Sequence, residues 1–310
     1  MPIDETFSIV NFPRGATIST PTGMPSERFY VIRSGKVRVS STSKILFEGR
    51  ERLEQGDFFS VAATLARRPS SITAVAETDV TLMEVSKVNF AVLIDKNLPV
   101  STKILKYLSA RLRILNEELI YGKIEANHEP DLSHLYNFAI YFLKRNIFRS
   151  AYCAFYQYLK YCPDGSHTKK AKEYVDKLAS YALGIRFDFD DRDITRAYPI
   201  DSAIFFEGEP STGMFIIRKG SIKIIKIVDD KEVTLAVLKS GDIMGEMGLI
   251  DSKPRSATAI ACEDCEIMSI ANTAYLPILK DGVSITEKIC VTLSKRICAM
   301  QDRLNGVKLS

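Results

Sequence analysis

The chain has 310 residues, 46% hydrophobic and 26% charged, with only 16 Gly and 12 Pro; this is room for two or three ordinary domains and excludes collagen-like and low-complexity chains. The net charge of +4, from 42 basic and 38 acidic side chains with no long Lys/Arg stripe, predicts no nucleic-acid partner. No window approaches the roughly 18 consecutive apolar residues of a membrane span, and residues 1–11 lack the basic-then-apolar order of a signal peptide, so a cytoplasmic protein is expected.

In chain order, residues 1–120 read as short strands followed by a helix. Arg33-Ser-Gly35-Lys-Val-Arg-Val39 breaks at a glycine, as a tight hairpin does, and Gly56-Asp57 marks a further turn. Arg67-Arg68-Pro69-Ser70-Ser71 reads as a solvated loop; a rescued phosphate site and a basic kinase target are the other readings. A helix is expected over residues 100–120.

Residues 121–185 follow a different pattern. Leu135-x-x-Phe138-Ala139-x-x-Phe142, Ala151-x-x-x-Phe155 and Cys162-Pro163 resemble one tetratricopeptide repeat, departing from it at Leu135 and Ala139, where tryptophan and glycine are usual. Residues 168–183 form a further amphipathic pattern, with Ala171, Tyr174, Val175, Leu178 and Ala182 on one face. A single repeat cannot bury its own apolar face, so it is expected to stack on the helix over 100–120 or on a partner. A rigid spacer and a protein-docking surface at 131–184 are both open.

Residues 186–310 repeat the first stretch. Arg218, Gly220, Gly241-Asp242, Pro254, Thr258-Ala259, Ala261, Asp264, Met268, Leu293-Ser294 and Arg296 each stand 185 positions after Arg33, Gly35, Gly56-Asp57, Pro69, Thr73-Ala74, Ala76, Asp79, Met83, Leu108-Ser109 and Arg111. Tyr198-Pro199 matches Phe12-Pro13 with a one-residue slip. Phe215 to Ile224 predicts a hairpin broken at Lys219-Gly220, and Ile285, Ile289, Leu293, Ile297, Met300 and Leu304 keep the spacing of a closing helix. The fold class is α+β: two β jelly-roll barrels, each with a closing helix, joined by an all-α segment. The six cysteines are expected as free thiols. Cys262-x-x-Cys265 would need two more metal ligands, and His128, His134 and His167 lie far away in sequence, so no metal site is predicted.

The segment Gly241-Asp-Ile-Met-Gly245-Glu246-Met247-Gly248-Leu249-Ile-Asp-Ser-Lys-Pro254-Arg255-Ser256-Ala257-Thr258 resembles the phosphate-binding cassette of cyclic nucleotide-binding domains, whose pattern runs G-E-x-(small)-L, a spacer, then P-R-(small)-A-T. The resemblance covers the whole second copy. It implies ligand-binding roles for Gly245, Glu246, Met247, Gly248, Leu249, Arg255, Ser256 and Ala257. Gly245 and Gly248 would let the backbone approach the ligand and open a helical turn that favours an anion. Arg255 would offer a planar, permanently charged fork to the cyclic phosphate, and Glu246 would accept from a ribose hydroxyl. Ser256 stands between the alanine of the cAMP-preferring pattern and the threonine of the cGMP-preferring one; cAMP is favoured, with cGMP and a cyclic dinucleotide open.

At the same positions the first copy has Ser60, Val61, Ala63 and Ser70, which keep the core pattern and lose the cation, the acid and the glycines. That copy is expected to keep the fold without binding a cyclic nucleotide in the usual way. The reading as a whole is a non-catalytic cyclic nucleotide sensor with no cofactor, binding in the second barrel and signalling to a protein partner as the helix over 285–304 closes the cassette, with Met300 or Leu304 as lid. The alternative is a ligand-free scaffold acting through the helical segment and barrel surfaces. A cupin-type enzyme would need histidine ligands inside a barrel, and too few residues follow Leu304 for a DNA-binding helix-turn-helix. The tandem layout resembles the regulatory subunit of cyclic-nucleotide-dependent kinases, without an N-terminal inhibitor segment.

Overall fold

The computed structural model describes residues 7–41, 51–122, 132–185, 195–271 and 283–306. The predicted starts of the insert and of the second copy, at residues 121–131 and 186, lie wholly or partly outside the described residues, as does His128. Two compact units account for the chain, one formed by residues 1–119 with 276–310 and the other by residues 120–275.

The first unit holds a barrel of β1 (Ser8–Phe12), β2 (Thr17–Ser19), β3 (Arg28–Ser34), β4 (Val37–Ser41), β5 (Arg52–Leu53), β6 (Phe58–Phe59), β7 (Ile72–Ala76) and β8 (Val80–Ser86), with α1 (Val61–Ala66) between β6 and β7. The strands form two four-stranded sheets, β1-β8-β3-β6 and β2-β7-β4-β5, all antiparallel. Alternation along β4 puts Val37 and Val39 inside, against Ile32, Leu53, Phe59, Ala74 and Leu82. Helix α2 (Phe90–Lys96) leads to α3 (Leu98–Tyr121), where the sequence predicts the helix that ends this copy. Its Lys103 donates to Gly56 O at 2.7 Å and to the Asp57 carboxylate at 3.0 Å, while Tyr107 sets its ring edge on Phe58.

The second unit repeats this barrel as β9 (Thr195–Tyr198), β10 (Ala203–Phe205), β11 (Gly213–Lys219), β12 (Ser221–Val228), β13 (Lys231–Lys239), β14 (Ile243–Met244), α7 (Glu246–Asp251), β15 (Thr258–Ala261) and β16 (Cys265–Ala271). Its sheets run β10-β15-β12-β13 and β14-β11-β16-β9. The offset of 185 survives in the backbone. The β3–β8 pairing has a bulge between Ile32 and Ser34, and the β11–β16 pairing has one between Ile217 and Lys219. Asp57 accepts from Glu54 N at 3.0 Å as Asp242 does from Lys239 N at 2.8 Å, which explains why Gly-Asp recurs at this turn.

Before this barrel come α4 (His134–Lys144), α5 (Phe148–Tyr161) and α6 (Thr168–Lys177). Their apolar faces form one core in which Phe138, Phe142, Phe155 and Tyr158 join Ala203, Phe206, Ile225 and Ile260 of the second barrel. Polar ties fasten the same contact: Ser150 Oγ donates to Asp201 O at 2.6 Å, and the Arg149 guanidinium donates to Ile200 O at 2.7 Å. The expectation that this segment stacks on the first closing helix is therefore corrected. A sheet face of the second barrel takes that place, because Ile225 and Ile260 leave an apolar surface that the helix pair fills.

The last helix, α8 (Val283–Leu304), is the second correction. It lies in the first unit, packed along α1 and α2, with Cys298 Sγ reaching Ala62 O and Arg68 paired with Asp302. The sequence places it as the lid of the second cassette. An apolar stripe specifies that a helix is buried, and the α1–α2 surface of the first barrel is the one that buries this stripe.

Candidate functional site

In the second barrel, β14 ends at Gly245, whose backbone is left-handed at φ 75 and turns the chain into α7. A Cβ at Gly245 would stand 2.5 Å from Arg255 Nη1, so glycine here relieves the conformation and also lets the guanidinium lie against the backbone. Gly248 answers a different constraint. A Cβ there would come 2.5 Å from Ser211 Cβ and 2.8 Å from Lys253 O, so α7 approaches the strand-connecting loop more closely than any side chain allows.

Arg255 is 5% exposed. Its Nη1 donates to Gly245 O at 2.6 Å and its Nη2 to Gly213 O at 2.8 Å, while the guanidinium lies over the rings of Phe205 and Phe215. Main-chain bonds in both directions, Arg255 N to Glu209 O and Gly208 N to Arg255 O, both 2.9 Å, hold the residue in register. Glu246, at the start of α7, is 1% exposed. Met247, Leu249 and Ala257 are buried, and the half-buried Ser256 donates its hydroxyl to Met247 Sδ at 3.8 Å. All eight residues singled out in the sequence thus lie on the single turn, helix and loop that run from β14 to β15.

Two further residues join them. Glu209 is buried, its Oε1 accepts no hydrogen bond among the described residues, and burial pushes its carboxyl up to about 7 against the opposing pull of Arg255. Tyr161, on the last turn of α5, has its phenol pushed up to about 12 by burial, with Glu209 adding to the shift and Arg255 opposing it. The helical segment therefore reaches the electrostatic neighbourhood of the cassette. In the sequence Pro210-Ser211 repeats Pro25-Ser26 at the offset of 185, which aligns Glu209 with Met24 but gives no sign of its burial beside Arg255. Nothing in the sequence pointed Tyr161 toward Arg255.

The first barrel keeps the frame of the cassette and changes its chemistry. Ser60 adopts φ 67 and ψ 5 where Gly245 adopts φ 75 and ψ 2, and the helix that follows has six residues in both. Ser60 and Ser70, the counterparts of Gly245 and Arg255, join their hydroxyls at 3.2 Å. Among the described residues no group of three or more His, Cys, Asp or Glu is placed to hold a metal ion, and no helix is long and apolar enough to cross a membrane.

The cyclic nucleotide-binding domain family matches residues 9–97 and 195–281. The chain is 29% identical over 103 residues to the cyclic AMP receptor protein of Thermus thermophilus, an alignment covering 33% of this chain and 48% of that protein. It is 27% identical over 112 residues to the cAMP-activated global transcriptional regulator CRP of Escherichia coli O157:H7, covering 36% and 53%; the chain thus spans about half the length of these relatives. Among solved structures, cAMP-bound PfPKA-R is 20% identical, with 98% of this chain and 82% of that one covered at a TM-score of 0.29.

Proposed function

The chain belongs to the cyclic nucleotide-binding domain family, and on that premise we propose that it is a non-catalytic sensor which binds one cyclic nucleotide, cAMP by preference, at the cassette of the second barrel. The observation that carries the proposal is the contrast between copies: Arg255, Glu246, Gly245 and Gly248 stand together where the first barrel has Ser70, Val61, Ser60 and Ala63. A buried guanidinium with five N–H donors in a planar fork matches the geometry and charge of a cyclic phosphate. Glu246 would take the ribose hydroxyl, and the backbone at Met247 and Gly248 would line the phosphate. Ser256 and Ala257 would face the rest of the ligand, with Leu249 supporting the helix from below.

The relay in this reading runs through the helical segment. A phosphate at Arg255 draws on the charge that also acts on Glu209 and Tyr161. Ligand binding thereby changes the environment of the α5 end, and the exposed side of the segment would present that change to a protein partner. Such a ligand acts only to the extent that it binds one arrangement better than the other.

Calorimetric titration of the full chain with cAMP, cGMP and cyclic dinucleotides tests this, since the absence of Trp removes tryptophan fluorescence as a readout. A stoichiometry near one for a single nucleotide, lost in Arg255→Ala, is the expected result. Silence across the panel from folded protein free of copurified ligand would replace the sensor with a scaffold.

A further inference from the structure

The first barrel carries a site of its own. A cavity of about 50 Å³ lies where its cassette turns back, walled by Ser60, Ser70 and Ser71 from the barrel, Tyr107 and Arg111 from α3, and Gln301 from α8. By the measure of roughly 10–15 Å³ per water, it has room for about three to five waters. That also suits a tetrahedral oxyanion; a mononucleotide has several times as many heavy atoms.

The chemistry of the wall has one sign. Arg111 is the one charged residue lining the cavity among the described residues, no carboxylate shares the wall, and the remaining polar side chains are hydroxyls, one amide and the Cys298 thiol. Arg111 is buried, 7% exposed, and an arginine stays protonated in such a place. The acid acting on it, Glu118, lies along the same helix and is not part of the wall. Arg67 and Arg68, which the sequence offered as a rescued phosphate site, are not in it either; Arg68 pairs with Asp302.

We infer that this cavity binds a small oxyanion of the phosphate or sulfate class, held by the Arg111 guanidinium and the hydroxyls of Ser60, Ser70 and Ser71 under the cover of α8. The first barrel has thus exchanged a nucleotide cassette for an anion site closed by the chain's own last helix. Because Ile297, Cys298 and Gln301 form part of the wall, the anion and the docking of α8 stabilise each other.

Thermal unfolding of the full chain in phosphate or sulfate, against chloride at equal ionic strength, tests the inference. These salts raise the Tm of any fold somewhat by exclusion from its surface, so the readout is the difference between variants. The expected result is an additional rise at low millimolar anion that persists in Arg255→Ala and disappears in Arg111→Gln, with apparent affinity weakened at least about tenfold. Arg111→Gln can weaken the fold by itself, so Ser70→Asp supplies the second arm. A carboxylate inside the cavity takes the part of the anion, and this variant should melt at or above the wild type and lose the additional rise. A rise kept in Arg111→Gln, a rise lost in Arg255→Ala, no additional rise in the wild type, or a Ser70→Asp chain that melts lower would each overturn the inference. Of these outcomes, only a rise lost in Arg255→Ala bears on the second barrel, because it would place the anion at that cassette; nucleotide titration of Arg111→Gln tests the two sites apart.

Discussion

The two barrels share a backbone and differ in what stands on it. The left-handed turn at Ser60 and Gly245, the six-residue helix after it and the bulge in the β3 and β11 pairings coincide. Yet one corner buries Arg255 and Glu246, and the other joins two serine hydroxyls. A frame held by strand register and turn geometry tolerates complete replacement of the polar groups at this corner. Function in such a repeat is therefore a property of the site and not of the fold.

The largest test of that contrast is Arg255→Ala. It should weaken nucleotide binding by at least about 1.5–3 kcal/mol, the scale of a charged hydrogen-bonding group. It should also cost about 3 kcal/mol of stability, because the carbonyls of Gly245 and Gly213 lose their donor and Glu209 its cation. Ser70→Ala in the first barrel removes one hydroxyl contact and should cost about 1 kcal/mol. Denaturant unfolding of the two variants side by side reads the difference.

Gly245→Ala comes next. The left-handed conformation alone costs about 1–2 kcal/mol, and the new methyl group would push Arg255 from its place. Ser60→Gly, at the matching turn, should be neutral or slightly stabilising, and equal effects from the two substitutions would mean that the corners are not built alike.

A smaller effect is a pH slope that belongs to the second barrel. The Glu209 carboxyl is pushed from the ordinary 4.5 up to about 7, so between these values the folded chain binds more protons than the unfolded one. Stability from this group is present below the lower value and falls as pH rises through the window. Glu209→Gln should flatten that part of the stability profile, whereas Met24, its exposed counterpart, contributes no titration. Smallest of all, Asp302→Ala should cost under about 1 kcal/mol, since the Arg68 partner is half exposed.

Much of this molecule was legible in the sequence because the signals are local. Alternating residues predict strands, Gly-Asp predicts the turn at Asp57 and Asp242, and the constant offset predicts that the second barrel copies the first. The cassette residues from Gly245 to Ala257 could be singled out because one short run of sequence resembles the cassette pattern of cyclic nucleotide-binding domains. Three things were not legible, and each depends on contacts between distant segments. The apolar faces of α4 and α5 specified burial without specifying Ile225 and Ile260 as the surface that buries them. The stripe on α8 could not say which barrel it would cover. Glu209 and Arg111 read as ordinary charges until folding enclosed one beside Arg255 and the other in the wall of a cavity. Periodicity is written along the chain, whereas desolvation is set by whatever the fold brings from elsewhere, and only the tertiary structure decides it.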